Sequence, residues 1–178
     1  TRRLSGKALE IALTAKLRQL LGGVTWLRDC QVAHIDQGPD TGFDLLATLP
    51  LPEGGKAALY VACKADLRPS MFPMVAGKVP PSGQSKVDVR VLALPFVSKR
   101  MVDLCAEHGW SWFDLAGNCR IDVPGVLRLE HLGNAPVHQP PKPKATLGTP
   151  EAGRVIRALL APENAGRRWK QRDLQVHS

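Results

Sequence analysis

The sequence has no apolar run long enough to cross a membrane, no C-x-x-C pair and no internal repeat. The first absence excludes a membrane-spanning helix, which needs about 20 apolar residues. The second bears on Cys30, Cys63, Cys105 and Cys119. Their wide spacing argues against a zinc site and against a disulfide framework. They read as buried thiols of a cytoplasmic protein. The N-terminal stretch, "TRRLSGKALEIALTAKLRQLLGG", lacks the uninterrupted apolar centre of a signal peptide and reads as the first helix of the fold. His108 and His131 have no second ligand at metal-like spacing and read as surface or internally satisfied side chains.

What is there is a packed body and a basic tail. The chain has 178 residues, 44% of them hydrophobic, enough for one domain and a small appendage. The net charge of +8 is uneven: residues 133–178 carry eight Lys/Arg against three Asp/Glu, and residues 1–132 carry sixteen against thirteen. A basic tail beside a nearly balanced body points to an anionic partner, nucleic acid first.

Leu9, Leu13, Leu17, Leu20 and Leu21 recur at helical spacing, and Gly22-Gly23 ends that helix. "VTWLRDCQVAHI", "FDLLATLPL" and "AALYVACKA" read as three strands, the last two joined by a "PEGGK" hairpin loop. "LRPSMFPMVAGKVPP" reads as a short, proline-interrupted helix or loop. "VDVRVLALPFVS" reads as a strand buried on both faces. A helix follows, capped by Ser98 and stopped by Gly109. "WSWFDLAGNCRIDV" and "VLRLEHL" read as two closing strands, with Trp110 and Trp112 on one core-facing side. The order α-β-β-β-α-β-α-β-β predicts an α/β or α+β domain, a mixed sheet flanked by helices, over 1–132. Residues 133–150 form a Pro-rich linker, and 151–178 a short helical segment whose first helix has Thr149 as cap and Pro150 at its first turn.

One strand raises a chemical question. In "LYVACKADLRP" side chains alternate, so Leu59, Val61, Cys63 and Ala65 share one face. Tyr60, Ala62, Lys64 and Asp66 share the other, which sets Lys64 opposite the main core. Asp44 lies in the preceding strand of the hairpin, within reach of Lys64 across the sheet. The pair reads either as a surface ion pair or as part of a metal site. In such a site a carboxylate holds a divalent cation, and the lysine orients the attacking water.

The hairpin with Asp44, the "VACK" strand and the following helix resemble the PD-(D/E)xK restriction-endonuclease-like core. Pro39-Asp40 makes Asp40 a second candidate for the family's aspartate. The stretch "LALPFVSKRMVDLCAEHGWSWFDLAGNCRI" resembles a signature of bacterial AbiEi-type regulators, the antitoxins of type IV toxin–antitoxin systems, through Pro95, Ser98, Arg100, Gly109, Asp114, Ala116, Gly117 and Asn118. Arg154, Val155, Arg157, Ala158, Leu159, Leu160, Trp169, Arg172, Asp173 and Leu174 match the opening of the winged helix-turn-helix that such proteins carry. Together the matches run from about Asp44 to Leu174.

The resemblance implies a DNA-binding transcription regulator on a degenerate nuclease fold. Duplex DNA is then the expected partner; a second copy of the chain and a protein encoded alongside are further candidates. The body would meet phosphates through Lys64, Lys99 and Arg100, and the C-terminal segment through Arg167, Arg168, Lys170 and Arg172. Asp114, Gly117 and Asn118 form either a tight turn or a ligand contact. The family's acid, two residues before the lysine, is Ala62 here, so binding without cleavage and without a cofactor is expected. The chain ends at Ser178, about where a recognition helix would begin. The alternatives are a Mg²⁺-dependent endonuclease and a protein-interaction module. In the endonuclease, Asp44 would hold the metal and Glu10, Asp66 or Asp40 would replace the missing acid.

Overall fold

A computed structural model of the chain describes residues 6–27, 30–35, 42–81, 85–137 and 150–162. The chain divides into two compact units, Thr1–Gln139 and Pro140–Ser178. The first is an α+β unit built on a mixed sheet. Its described strands are β1 (Gln31–His34), β2 (Leu45–Pro50), β3 (Lys56–Cys63), β4 (Val87–Leu94), β5 (Ser111–Asp114), β6 (Cys119–Val123) and β7 (Leu127–His131). They lie side by side in chain order. β1, β2 and β3 form an antiparallel meander, β3, β4 and β5 run parallel, and β5, β6 and β7 are antiparallel again.

Chain chemistry explains the switch from antiparallel to parallel. The β2–β3 hairpin closes through Gly54 and Gly55, whose φ values of +80° and +95° suit glycine. Each parallel step instead carries a helix: α2 (Phe72–Ala76) from β3 to β4, and α3 (Lys99–Glu107) from β4 to β5. Both pack on the same face of the sheet, as successive crossovers of one hand require. α3 begins at Ser98, whose Oγ accepts from the Met101 N–H at 3.4 Å. It ends in a Schellman motif at Gly109 (φ +66°), with Trp110 N–H donating to Cys105 O at 2.8 Å.

α1 (Lys7–Gly22) covers the opposite face. Leu9, Leu13, Leu17 and Leu21 are all buried against β2 to β6, and each contributes about 1.5–3 kcal/mol of burial. The sheet therefore has a core on both faces. One core is formed under α1. The other joins Tyr60, Ala62, Leu92, Leu94, Trp110 and Trp112 to Phe72, Val75, Met101, Leu104 and Cys105 of α2 and α3. Trp110 and Trp112 are core residues, as their spacing predicts, though both indole N–H groups are buried without a partner among the described residues.

Three sequence expectations are corrected here. "WSWFDLAGNCRIDV" is not one strand: it folds back at Leu115–Asn118 into the pair β5 and β6. "VTWLRDCQVAHI" is a strand only from Gln31, because Thr25–Leu27 forms a 3₁₀ turn. The face of β3 that carries Tyr60 and Ala62, read as lying opposite the main core, is itself buried in a second core.

That second core is tied by a residue that sequence reasoning passed over. Arg90 of β4 donates to Ala76 O at 3.1 Å and to His108 O at 3.0 Å. These are carbonyls at the C-terminal ends of α2 and α3, where a cation is favourable. The guanidinium also lies 5.3 Å from the Trp110 ring centre. Arg90→Ala is expected to cost about 2–3 kcal/mol in urea unfolding. Arg90→Lys should recover less than half of that, since an ammonium lacks the planar fork that spans both carbonyls.

In the second unit, α4 (Pro150–Leu160) starts at the expected proline. Val155 and Ile156 are half-buried, and Arg154 and Arg157 are exposed. No described helix is long and apolar enough to cross a membrane.

Candidate functional site

The candidate site forms where the β2–β3 ladder runs out. Along β3, successive N–H groups point alternately to β2 and to β4. Lys64 N–H points to β4 and donates to Ala93 O at 3.0 Å. Cys63 N–H points to the β2 side, past the last paired residue of β2. Asp44, one residue before β2, fills that gap: its Oδ2 accepts from Cys63 N–H at 2.6 Å. The same oxygen lies 3.6 Å from Lys64 Nζ. Asp44 and Lys64, expected within reach of one another across the hairpin, thus meet in space. Their side chains are 29% and 31% exposed, so water reaches the pair, and its direct contribution to stability is about 0–1 kcal/mol.

The β2–β3 pairing ends at Leu45 and Val61, and the Asp44 N–H also reaches Val61 O, at 2.8 Å. Ala62, two residues before Lys64, is fully buried in the second core. Glu10, on α1, lies on the other face, close enough to Cys63 to act on its ionisation. Burial, then the charges of Asp44 and Glu10, push the Cys63 thiol up to about 12, with Lys64 opposing. Asp66 lies beyond the end of β3 and is exposed. Among the described residues no group of three or more His, Cys, Asp and Glu side chains could hold a metal.

The "DLAGN" turn closes β5 at the same end of the sheet. Asp114 is fully buried. Its Oδ1 accepts from Asn118 N–H at 2.9 Å, and its Oδ2 from Asn118 Nδ2 at 2.9 Å and Val97 N–H at 3.3 Å. Asn118 and Asn134 exchange two further bonds, at 2.8 and 3.0 Å. Gly117 turns the chain at φ +91°. The geometry is that of a structural turn which fastens the entry to α3 and the segment after β7. Asn134 carried no signal in the sequence, because its partner lies across the fold.

Lys99 and Arg100 are exposed in the first turn of α3, and Arg100 pairs with Glu107 at 3.6 Å. Asp40, Arg167, Arg168, Lys170 and Arg172 lie outside the described residues. His108 packs edge-on against Phe72, and His131 sits on the edge strand β7, so neither joins a site.

No disulfide joins the cysteines; Cys63, Cys105 and Cys119 are buried and Cys30 is half-buried. Burial pushes Cys105 up to about 12 and also raises Cys119. A disulfide reagent at about pH 8 is expected to label Cys30 alone in the native protein, because only a thiolate attacks and the other three stay protonated. Full labelling should require denaturant; rapid reaction of Cys63 in the native state would contradict this.

Comparisons with protein-family models, with curated proteins and with solved structures found no significant match to this chain.

Proposed function

We propose that the chain is a DNA-binding regulatory protein on a degenerate nuclease fold, as its resemblance to AbiEi-type regulators implies, and that it does not cut DNA. The observation that carries this is the Asp44–Lys64 pair at the end of β3, with a buried alanine two residues before the lysine. A hydrolytic metal site needs enough oxygen ligands to fix a cation and its water. Here one carboxylate oxygen is engaged by a backbone N–H, and position 62 offers only a methyl group. Lysine remains half-exposed, which suits phosphate contact. The net charge of +8 agrees with an anionic partner.

The test is affinity for duplex DNA as salt rises. The reading expects a straight fall of log affinity with log salt between about 50 and about 300 mM, with weak dependence on sequence.

An endonuclease with a displaced acid has one observation in its favour: the Glu10 carboxylate acts on Cys63, beside Asp44. Mg²⁺-dependent nicking of plasmid DNA that is lost in both Asp44→Ala and Glu10→Gln would support it and overturn the first reading.

A further inference from the structure

We propose that Lys78 is a second phosphate contact, seated near the Asp44–Lys64 pair by Gly42. The proposal rests on the DNA-binding reading and adds a residue to that site. Lys78 follows α2 and is half-buried. Its stem and ammonium cross the place where a β-carbon on residue 42 would stand. Gly42 also has φ +72°, a conformation that L side chains rarely adopt. Glycine is thus required there twice, for its backbone angle and for the room it leaves to the lysine.

Lys86 gives a contrast within the same fold. It crosses Gly55 in a similar way, but its ammonium is taken up by Gly54 O at 2.8 Å, at the hairpin end of β3. Lys78 forms no ion pair with a carboxylate among the described residues. Gly42 stands two residues before Asp44. Lys64 therefore meets one end of the segment Gly42–Asp44 and Lys78 the other, with α-carbons at most about 7 Å apart. Consecutive phosphates of one DNA strand rise about 3.4 Å along the axis, so one stretch of backbone can reach both ammonium groups. Asp44 pairs with Lys64 and forms no such pair with Lys78, which favours Lys78 as the stronger draw for a phosphate.

The test uses the whole chain and a duplex oligonucleotide. Lys78→Met keeps the apolar stem over Gly42 and removes the charge. It is expected to lower affinity at low salt about fivefold and to shallow the log–log salt slope by about 0.9. Lys78→Arg should restore the slope. Lys86→Met, which removes the same charge at the other end of β3, should leave it unchanged. Gly42→Ala should reproduce the Lys78→Met loss in protein that still melts cooperatively. If the unaltered chain binds and Lys78→Met binds with the same slope, the proposal falls and the DNA-binding reading stands. Equal losses in Lys78→Met and Lys86→Met would also overturn it, since the effect would then be net charge alone. If the unaltered chain fails to bind duplex DNA at low salt, both fall.

Discussion

Replacing Ala62 with glutamate is expected to lower the thermal midpoint by about 10 °C or more, and Mg²⁺ is expected to return part of that loss. Ala62 is fully buried in the second core. A carboxylate placed there loses its water and meets no cation, at a cost of about 3–5 kcal/mol. In a unit of this size each kcal/mol moves the midpoint by about 2–4 °C. Residue 62 precedes Cys63, whose N–H binds the Asp44 carboxylate. Two carboxylates so placed could share a divalent cation. At about ten times its dissociation constant, the cation would return about 1.4 kcal/mol. Ala62→Gln, of similar size and without charge, should be destabilised but blind to Mg²⁺. A tolerated Ala62→Glu, or one that Mg²⁺ leaves unmoved, would mean that position 62 and Asp44 do not face a common site.

Asp44→Asn is expected to strengthen DNA binding. In the unaltered chain the Asp44 carboxylate lies 3.6 Å from Lys64 Nζ and offsets it. The amide keeps an oxygen to accept the Cys63 N–H, so the end of the ladder should hold. With the negative charge gone, the site gains one unit of positive charge. Affinity at low salt should rise about threefold to tenfold, and the salt slope should steepen by about 0.9. Asp44→Ala is a different experiment, because it also strands a backbone donor, at a cost of about 1–3 kcal/mol. Unchanged or weaker binding by Asp44→Asn would show that Lys64 does not meet phosphate.

Much of the fold could be read from residue spacing. Leu9, Leu13, Leu17 and Leu21 of α1 recur at helical intervals and are buried, with Leu20 half-buried beside them. The Gly-Gly hairpin and the Ser98 and Gly109 signals depend on local backbone chemistry, which a sequence displays directly. The meeting of Asp44 and Lys64 was legible too, because it needs only a hairpin and the alternation of a strand. What escaped was non-local. "WSWF" and "CRIDV" both carry strand residues, and the turn between them is held by Asp114, Asn118 and Asn134, whose bonds cross 16 positions. The second core was hidden because its alanines, Ala58 and Ala62, look neutral until α2 and α3 cover them. Arg90 stands in a mostly apolar strand, and only the packed helix ends explain it.

The most direct test of the account is one titration. The whole chain is added to supercoiled plasmid and to a labelled duplex with Mg²⁺ present, over salt from about 50 to about 300 mM. Binding is expected to weaken linearly in log–log form, with the plasmid still supercoiled at the end. Affinity that does not change with salt, or nicked circles that vanish in Asp44→Ala, would contradict it.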